Sequence, residues 1–254
     1  TQKKVGDLWV HIAKVAEGVI EVGDAVELSV DGTRRGHTRA NHSATHLLHE
    51  ALRRHLGKHV TQKGSLVAPG RLRFDFSHPK AMSHMELKAV ETEVNERIRG
   101  NSEVSTTLMD PENAIKAGAM ALFGDEVRVV SMGGATDDPG KQHYSTELCG
   151  GIHVNRTGDI GVLHIISEGA VASGVRRIEA VTGAGAMDYV DGREGLLTAA
   201  ATVAKVSVDQ LPDRVGTLIE ERRKLEREVQ DLRRKLAEGG EAGEAQSKDV
   251  AGVT

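Results

Sequence analysis

From Leu211 the chain repeats every seven residues. Leu211, Leu218, Leu225 and Leu232 form one series, and Val215, Arg222, Val229 and Leu236 form a second, with Glu and Arg filling most of the other positions. Four heptads of this kind commit the last quarter to one long helix with a narrow apolar seam. The pattern serves equally a solvated helix packed on its own domain and a coiled coil formed with a second copy, and Arg222 interrupts the seam. Beyond Ala237 the stretch EGGEAGEAQSKDV is glycine-rich and acidic, the composition of a flexible linker.

The first three quarters carry mixed signals. Residues 5 to 31 alternate Val and Ile with polar residues around Gly23-Asp24 and end at Asp31-Gly32, a tight-turn pair, which predicts a short antiparallel β segment. From Arg39 to Leu56 the apolar spacing is helical, and Gly57 ends the run. A hairpin is expected over 59 to 67 and 71 to 76, turning at Pro69-Gly70. Ser83 with Glu86 three residues later forms a capping box for a helix ending near Arg99, and Asp110-Pro111 opens a third helix. Strands are predicted at 126 to 131, 162 to 167 and 175 to 181, with a glycine-rich loop from Gly133 to Gly151. Without a regular βαβ beat, this order predicts an α+β fold. Its mainly antiparallel sheet packs with helices, preceded by the β segment and followed by a coiled-coil-like tail. The expected segments are 1–36, the end of a β-barrel-like unit; 37–190, the main domain; and 191–254, helix and linker.

Composition narrows the chemistry. Aromatics are 2% of residues, so the core is aliphatic and stacked aromatic platforms for bases are disfavoured. A net charge of -4 argues against coating nucleic acid by bulk electrostatics, though not against a local basic patch. The single cysteine, Cys149, excludes an intrachain disulfide, and no apolar run reaches the length of a membrane span, which points to a cytoplasmic setting without membrane contact. The first residue is not Met, as in a piece of a longer chain.

Two histidine spacings carry the site. His42 and His46, in NHSATHLLHEAL, lie four apart on one helix face, where two imidazoles can share one ion. Alone this spacing recurs by chance. In ELCGGIH, however, Cys149 and His153 repeat it in a loop with two intervening glycines. Three imidazole nitrogens and one thiolate suit one tetrahedral Zn2+ ion. His49 is the spare candidate, whereas His11, His55, His59, His84 and His164 have no comparable pattern. Position 43 is Ser, so the HExxH arrangement of zinc proteases is missing.

The segments RANHSATHLLHEALRRHLGKHVTQKGSLV, RLRFDFSH, GAMALFGDEVRVV, ELCGGIHV and GVRRIEAVTG resemble the editing domain of alanyl-tRNA synthetase over about residues 5 to 190. The heptad segment resembles the start of that family's C-terminal region, so the resemblance implies an excised piece of a longer enzyme. It implies zinc at His42, His46, Cys149 and His153, and hydrolysis of the ester in Ser-tRNA(Ala) and Gly-tRNA(Ala). It also implies an editing-pocket role for Gln62. Two departures stand out. The family's CGGTH reads CGGIH here, with Ile152, and a few residues are missing between Gly124 and Asp125.

A second site of this kind has a physical reason. A pocket sized for alanine rejects serine, one hydroxyl larger, only about a hundredfold. A site that hydrogen-bonds that hydroxyl spares alanine, which leaves the site's polar groups unpaired. Gln62, Ser65 and Ser43 are the candidates. The backbone amides around Gly150 and Gly151 are expected to steady the oxyanion beside Cys149. Phosphate contacts are expected among Arg34, Arg35, Arg39, Lys58, Lys63, Arg71 and Arg73, with Arg176 and Arg177 further on; Arg39 and Lys63 lie nearest the motifs. The competing expectation is a zinc-stabilised tRNA-binding and dimerisation module without catalysis, with a homodimer formed through the C-terminal helix.

Overall fold

The computed structural model describes residues 2–6, 8–116, 126–138 and 141–239. The expected linker after residue 239 and the shortened stretch at Gly124-Asp125 lie outside them. The architecture is α+β, and all of the paired strands run antiparallel.

The chain opens with a hairpin of β1 (Gln2–Val5) and β2 (Leu8–His11). The predicted β segment stops there. Residues 12 to 31 form no strand, and Val15, Val19, Ile20 and Val26 are exposed. Period-two alternation marks two faces but supplies no neighbouring strand, and among the described residues this stretch joins no sheet. Asp31-Gly32 is not a hairpin turn either. Asp31 caps α1 (Gly32–Leu56), its carboxylate accepting the Arg34 N–H at 2.9 Å, so the helix starts seven residues before the expected Arg39.

α1 is the central beam. From Ala40 to Leu52 nearly every residue is buried, the polar Asn41, Ser43, His46, His49 and Glu50 among them. Such a helix, enclosed on most sides, has no solvated face to accept polar residues, so each requires a partner. On one side lies the four-stranded sheet, in the order β3 (Gln62–Ala68), β4 (Arg71–Ser77), β9 (Val175–Thr182), β8 (Leu163–Ala172). Leu72, Phe74 and Phe76 of β4 and Ile178 and Ala180 of β9 join Leu47, Leu48 and Leu52 of α1 in the main core. Asn41 ties the helix to the sheet. Its amide donates to the carbonyls of Ala68 at 2.7 Å and Pro69 at 3.2 Å, and its oxygen accepts the Thr182 hydroxyl at 2.7 Å.

α2 (His84–Arg99) packs against α1 with Val90, Val94 and Ile98, and its predicted capping box is present in full. A smaller sheet, β5 (Ser105–Met109), β6 (Val127–Met132) and β7 (Ser145–Leu148), adjoins α3 (Pro111–Lys116). β7 falls inside the expected glycine-rich loop and delivers the chain into Cys149. α4 (Gly183–Ala204) and α5 (Leu211–Gly239) complete the described chain. α1 runs through the expected boundary at residue 36 and α4 through that at 190. Among the described residues no helix is long and apolar enough to cross a membrane.

Candidate metal centre

The middle of α1 presents His42 and His46 on successive turns, and the loop after β7 brings Cys149 and His153 to the same face. One ligand atom from each of the four residues lies within 4.8 Å of every other. Cys149 Sγ is 3.4 Å from His42 Nε2 and 3.3 Å from His153 Nε2, and the three imidazole centroids stand 4.3 to 5.2 Å apart.

The outward nitrogens are fixed by the protein. His42 Nδ1 donates to the Ile152 carbonyl at 3.2 Å, His46 Nδ1 to Glu147 Oε2 at 2.7 Å, and His153 Nδ1 pairs with Ser43 Oγ at 3.2 Å. With Nδ1 turned to these partners, Nε2 of each ring is the atom that faces inward, and as a metal ligand it offers its lone pair. His46 Nε2 is buried with no hydrogen-bond partner among the described residues. Lone pairs converging on a sulfur repel one another, and a cation between them reverses the sign. The spacing fits. Tetrahedral bonds of about 2.0–2.1 Å to nitrogen and about 2.3 Å to sulfur put N and S about 3.5 Å apart.

The electrostatics point the same way. Burial pushes the Cys149 thiol up, but the contacts of His153, His42 and His46 and the Gly151 amide outweigh it and bring the pKa down to about 3. Burial also disfavours charge on His46, yet Cys149 and Glu147 raise it to about 9. Burial dominates at His153, whose pKa is lowered. Glu147 is buried too, and the two imidazoles of His46 and His49 hold its carboxylate well below the usual range. The cysteine therefore stands as a thiolate, the form that ligates metals.

The loop itself is held by Arg128 of β6. Its guanidinium donates to the carbonyls of Cys149 and Gly151, and Cys149 N–H returns a bond to the Arg128 carbonyl at 3.1 Å. Gly151 is required by space, because a Cβ there would stand 2.1 Å from the His42 ring, whereas Gly150 faces open space. Of the two glycines in the loop, Gly151 is thus the one fixed by contact.

The comparisons with known proteins bear on this arrangement. The family described as the threonyl and alanyl tRNA synthetase second additional domain matches residues 127–179, which include Arg128, Glu147, Cys149 and His153. Alanine–tRNA ligases match the whole chain. The relative from Chelativorans sp. (strain BNC1) is 57% identical over 261 residues, 100% of this chain and 29% of its own length. Those from Parvibaculum lavamentivorans and Rhizorhabdus wittichii are each 56% identical, over 96% and 100% of this chain. The chain matches a segment of alanine–tRNA ligases. It spans under a third of the length of these relatives, 28% or 29%.

Other residues expected from the resemblance to alanyl-tRNA synthetase fall outside the cluster. Gln62, Lys63 and Ser65 are exposed on β3, with Lys63 the extra residue of a bulge. Gln62 and Ser65 pair with Phe76 and Phe74, and so share the sheet face that α1 covers. Ser43 is not a free polar candidate, because its buried hydroxyl also accepts Val154 N–H at 3.2 Å. Arg39, one turn before His42, lines a cavity of about 470 Å³ with His37, Asn155, Asp159 and Gly183, and its Nε is buried with no hydrogen-bond partner among the described residues. Arg176 and Arg177 are already engaged, bidentate to Glu168 and Asp75 respectively. Ile152, the departure from CGGTH, contributes its backbone carbonyl, which does not depend on the side chain. His49, the spare candidate, meets Glu147 and is not among the four converging residues; Glu147 and Arg128 were not readable as site residues, since their contacts depend on strand register.

Proposed function

We propose that the chain binds one Zn2+ ion through His42, His46, Cys149 and His153. As part of an alanine–tRNA ligase working in the cytoplasm, it hydrolyses the ester of Ser-tRNA(Ala) and Gly-tRNA(Ala). The observation that carries the reading is the convergence of three inward Nε2 atoms and a thiolate on one point, in a chain that matches a segment of alanine–tRNA ligases. Three nitrogens and one sulfur suit zinc over calcium or magnesium, which take oxygen ligands.

When bound, the ion supplies Lewis acidity towards an ester carbonyl. The chain's own residues do the rest. Arg39, in its cavity beside the cluster, and Lys63 hold phosphates of the tRNA 3′ end. Gln62 and Ser65 receive the serine hydroxyl. Gly151 N–H already donates to Cys149 Sγ at 3.4 Å, so the amide assigned to the oxyanion is that of Gly150. Addition of one water then breaks the bond to the ribose oxygen and releases free amino acid and tRNA.

One observation favours a second reading. Four protein ligands make a closed set, the habit of structural zinc, and suit a tRNA-binding and dimerisation module without catalysis. In either case we assign the α5 seam to a second copy of the chain. The test is release of amino acid from Ser-tRNA(Ala), Gly-tRNA(Ala) and Ala-tRNA(Ala), with and without chelator, alongside circular dichroism. Editing predicts release from the first two only, abolished by chelation with the fold retained. No release from any of them, with unfolding on chelation, selects the module.

A further inference from the structure

Glu147 lies on β7 two residues before Cys149 and divides its carboxylate between two helical histidines. Oε2 accepts from His46 Nδ1 at 2.7 Å and Oε1 from His49 Nδ1 at 2.8 Å. Both rings are buried, 8% and 5% exposed. We infer that Glu147 and His49 form a positioning pair for the metal centre: Glu147 fixes the ring of His46, and His49 fixes Glu147. The inference rests on the metal centre proposed above, and assigns to neither residue a bond to the ion.

The outer contacts of the three imidazoles are unequal. His42 leans on the Ile152 carbonyl and His153 on the Ser43 hydroxyl, both neutral, whereas His46 alone is held by a carboxylate. A carboxylate at Nδ1 fixes the tautomer, stops the ring from turning and makes Nε2 a stronger donor to a cation. It also balances charge. Thiolate and carboxylate together offset a divalent ion, and a half-buried site without Glu147 would carry an uncompensated positive charge once loaded.

His49 makes sense only through Glu147. It is not among the four residues whose ligand atoms converge. Its ring packs on Phe74 with centroids 5.2 Å apart, and its Nε2 is buried with no hydrogen-bond partner among the described residues. An orphaned nitrogen in an apolar pocket is a cost that leucine would not incur. What leucine lacks is the N–H that holds Oε1. Without it one carboxylate oxygen is buried unpaired and Glu147 can rotate away from His46.

Three variants of the 254-residue chain test the pair. Glu147→Gln keeps the shape and removes the charge, His49→Leu removes the donor, and His49→Asn returns an N–H close to the position of Nδ1. Zinc affinity is read by competition with a chromophoric chelator, coordination by the absorption of the cobalt-loaded protein, and the apo fold by thermal melting. Glu147→Gln is expected to weaken zinc about 10- to 100-fold while the tetrahedral cobalt bands persist. His49→Leu should weaken zinc in the same direction although its apo form melts no lower than wild type, and His49→Asn should recover most of the affinity. His49→Leu with wild-type zinc affinity and a lower apo melting temperature would overturn the inference, since that is the mark of a purely structural histidine. If Glu147→Gln does not fold, the two His49 variants still decide. A wild-type chain that takes up neither zinc nor cobalt would fail the metal centre itself, a result distinct from intact uptake that ignores Glu147 and His49.

Discussion

At Gly151 the backbone passes so close to His42 that a methyl group would overlap the ring, 2.1 Å from Cε1 and 2.6 Å from Nδ1. The ring cannot yield without giving up its bond to the Ile152 carbonyl. Gly151→Ala is therefore expected to cost zinc affinity at least tenfold, about 1.4 kcal/mol, whereas Gly150→Ala, in open space, serves as the control; equal affinities in the two variants would remove the steric argument. Cys149→Ala deletes the only sulfur of the set and should abolish both zinc uptake and deacylation of Ser-tRNA(Ala). A full deacylation rate in that variant, measured with zinc absent, would reject the metal's role. At this scale the four-residue spacings were legible because a helix and a short loop each impose them locally. The partners that complete the site were not: Glu147 and Arg128 reach it through the β6–β7 register, and a single sequence holds no record of register across a hundred residues.

Elements whose signals are self-contained were also legible. α2 begins at Ser83 as its capping box predicts, Ser83 Oγ accepting Glu86 N–H at 3.2 Å and Glu86 accepting Ser83 N–H at 2.7 Å. Both contacts lie within four residues, so no tertiary context can displace them cheaply. Ser83→Ala should cost about 1 kcal/mol in chemical denaturation. The pH dependence has a definite sign. Hydrogen bonds from the Ser83 backbone and hydroxyl hold the Glu86 carboxyl below its ordinary 4.5. The folded state thus prefers the ionised form, and the capping contribution is present above pH 4.5 and lost as pH falls through the folded value. Glu86→Gln should therefore be less stable than wild type near neutrality, with the gap closing in acid; a gap constant from pH 7 to pH 3 would contradict the assignment. The β segment shows the opposite case. Alternating valines over 12 to 31 state a preference for two faces, but a strand needs a partner, and pairing is a property of the fold. Asp31 was misread for a related reason, because capping a helix and closing a turn use the same acceptor for the same kind of backbone N–H.

For the molecule as a whole, the open question of the heptads becomes one of area. α5 is long, and along its seam Val215, Leu218, Leu225, Val229 and Leu232 remain 40% to 60% exposed. α4 and the short 3-10 turn Val208–Gln210 touch α5, yet the seam stays half-exposed, so packing on the chain's own domain does not bury it among the described residues. A row of half-exposed leucines and valines at a and d spacing buries its apolar area most fully against an identical row. Arg222, the interruption, does not forbid this, since its guanidinium turns to Glu226 at 3.3 Å and can leave the seam to its stem. The chain is therefore expected to self-associate through α5. Sedimentation equilibrium at micromolar concentration should give a dimer, and Leu225→Lys with Leu232→Lys should give a monomer with unchanged zinc affinity, because the four converging residues lie on α1 and the loop after β7, away from α5 in sequence. A wild-type monomer at those concentrations would leave the seam to another partner, and a monomeric variant that also loses zinc would show that the tail and the centre are coupled.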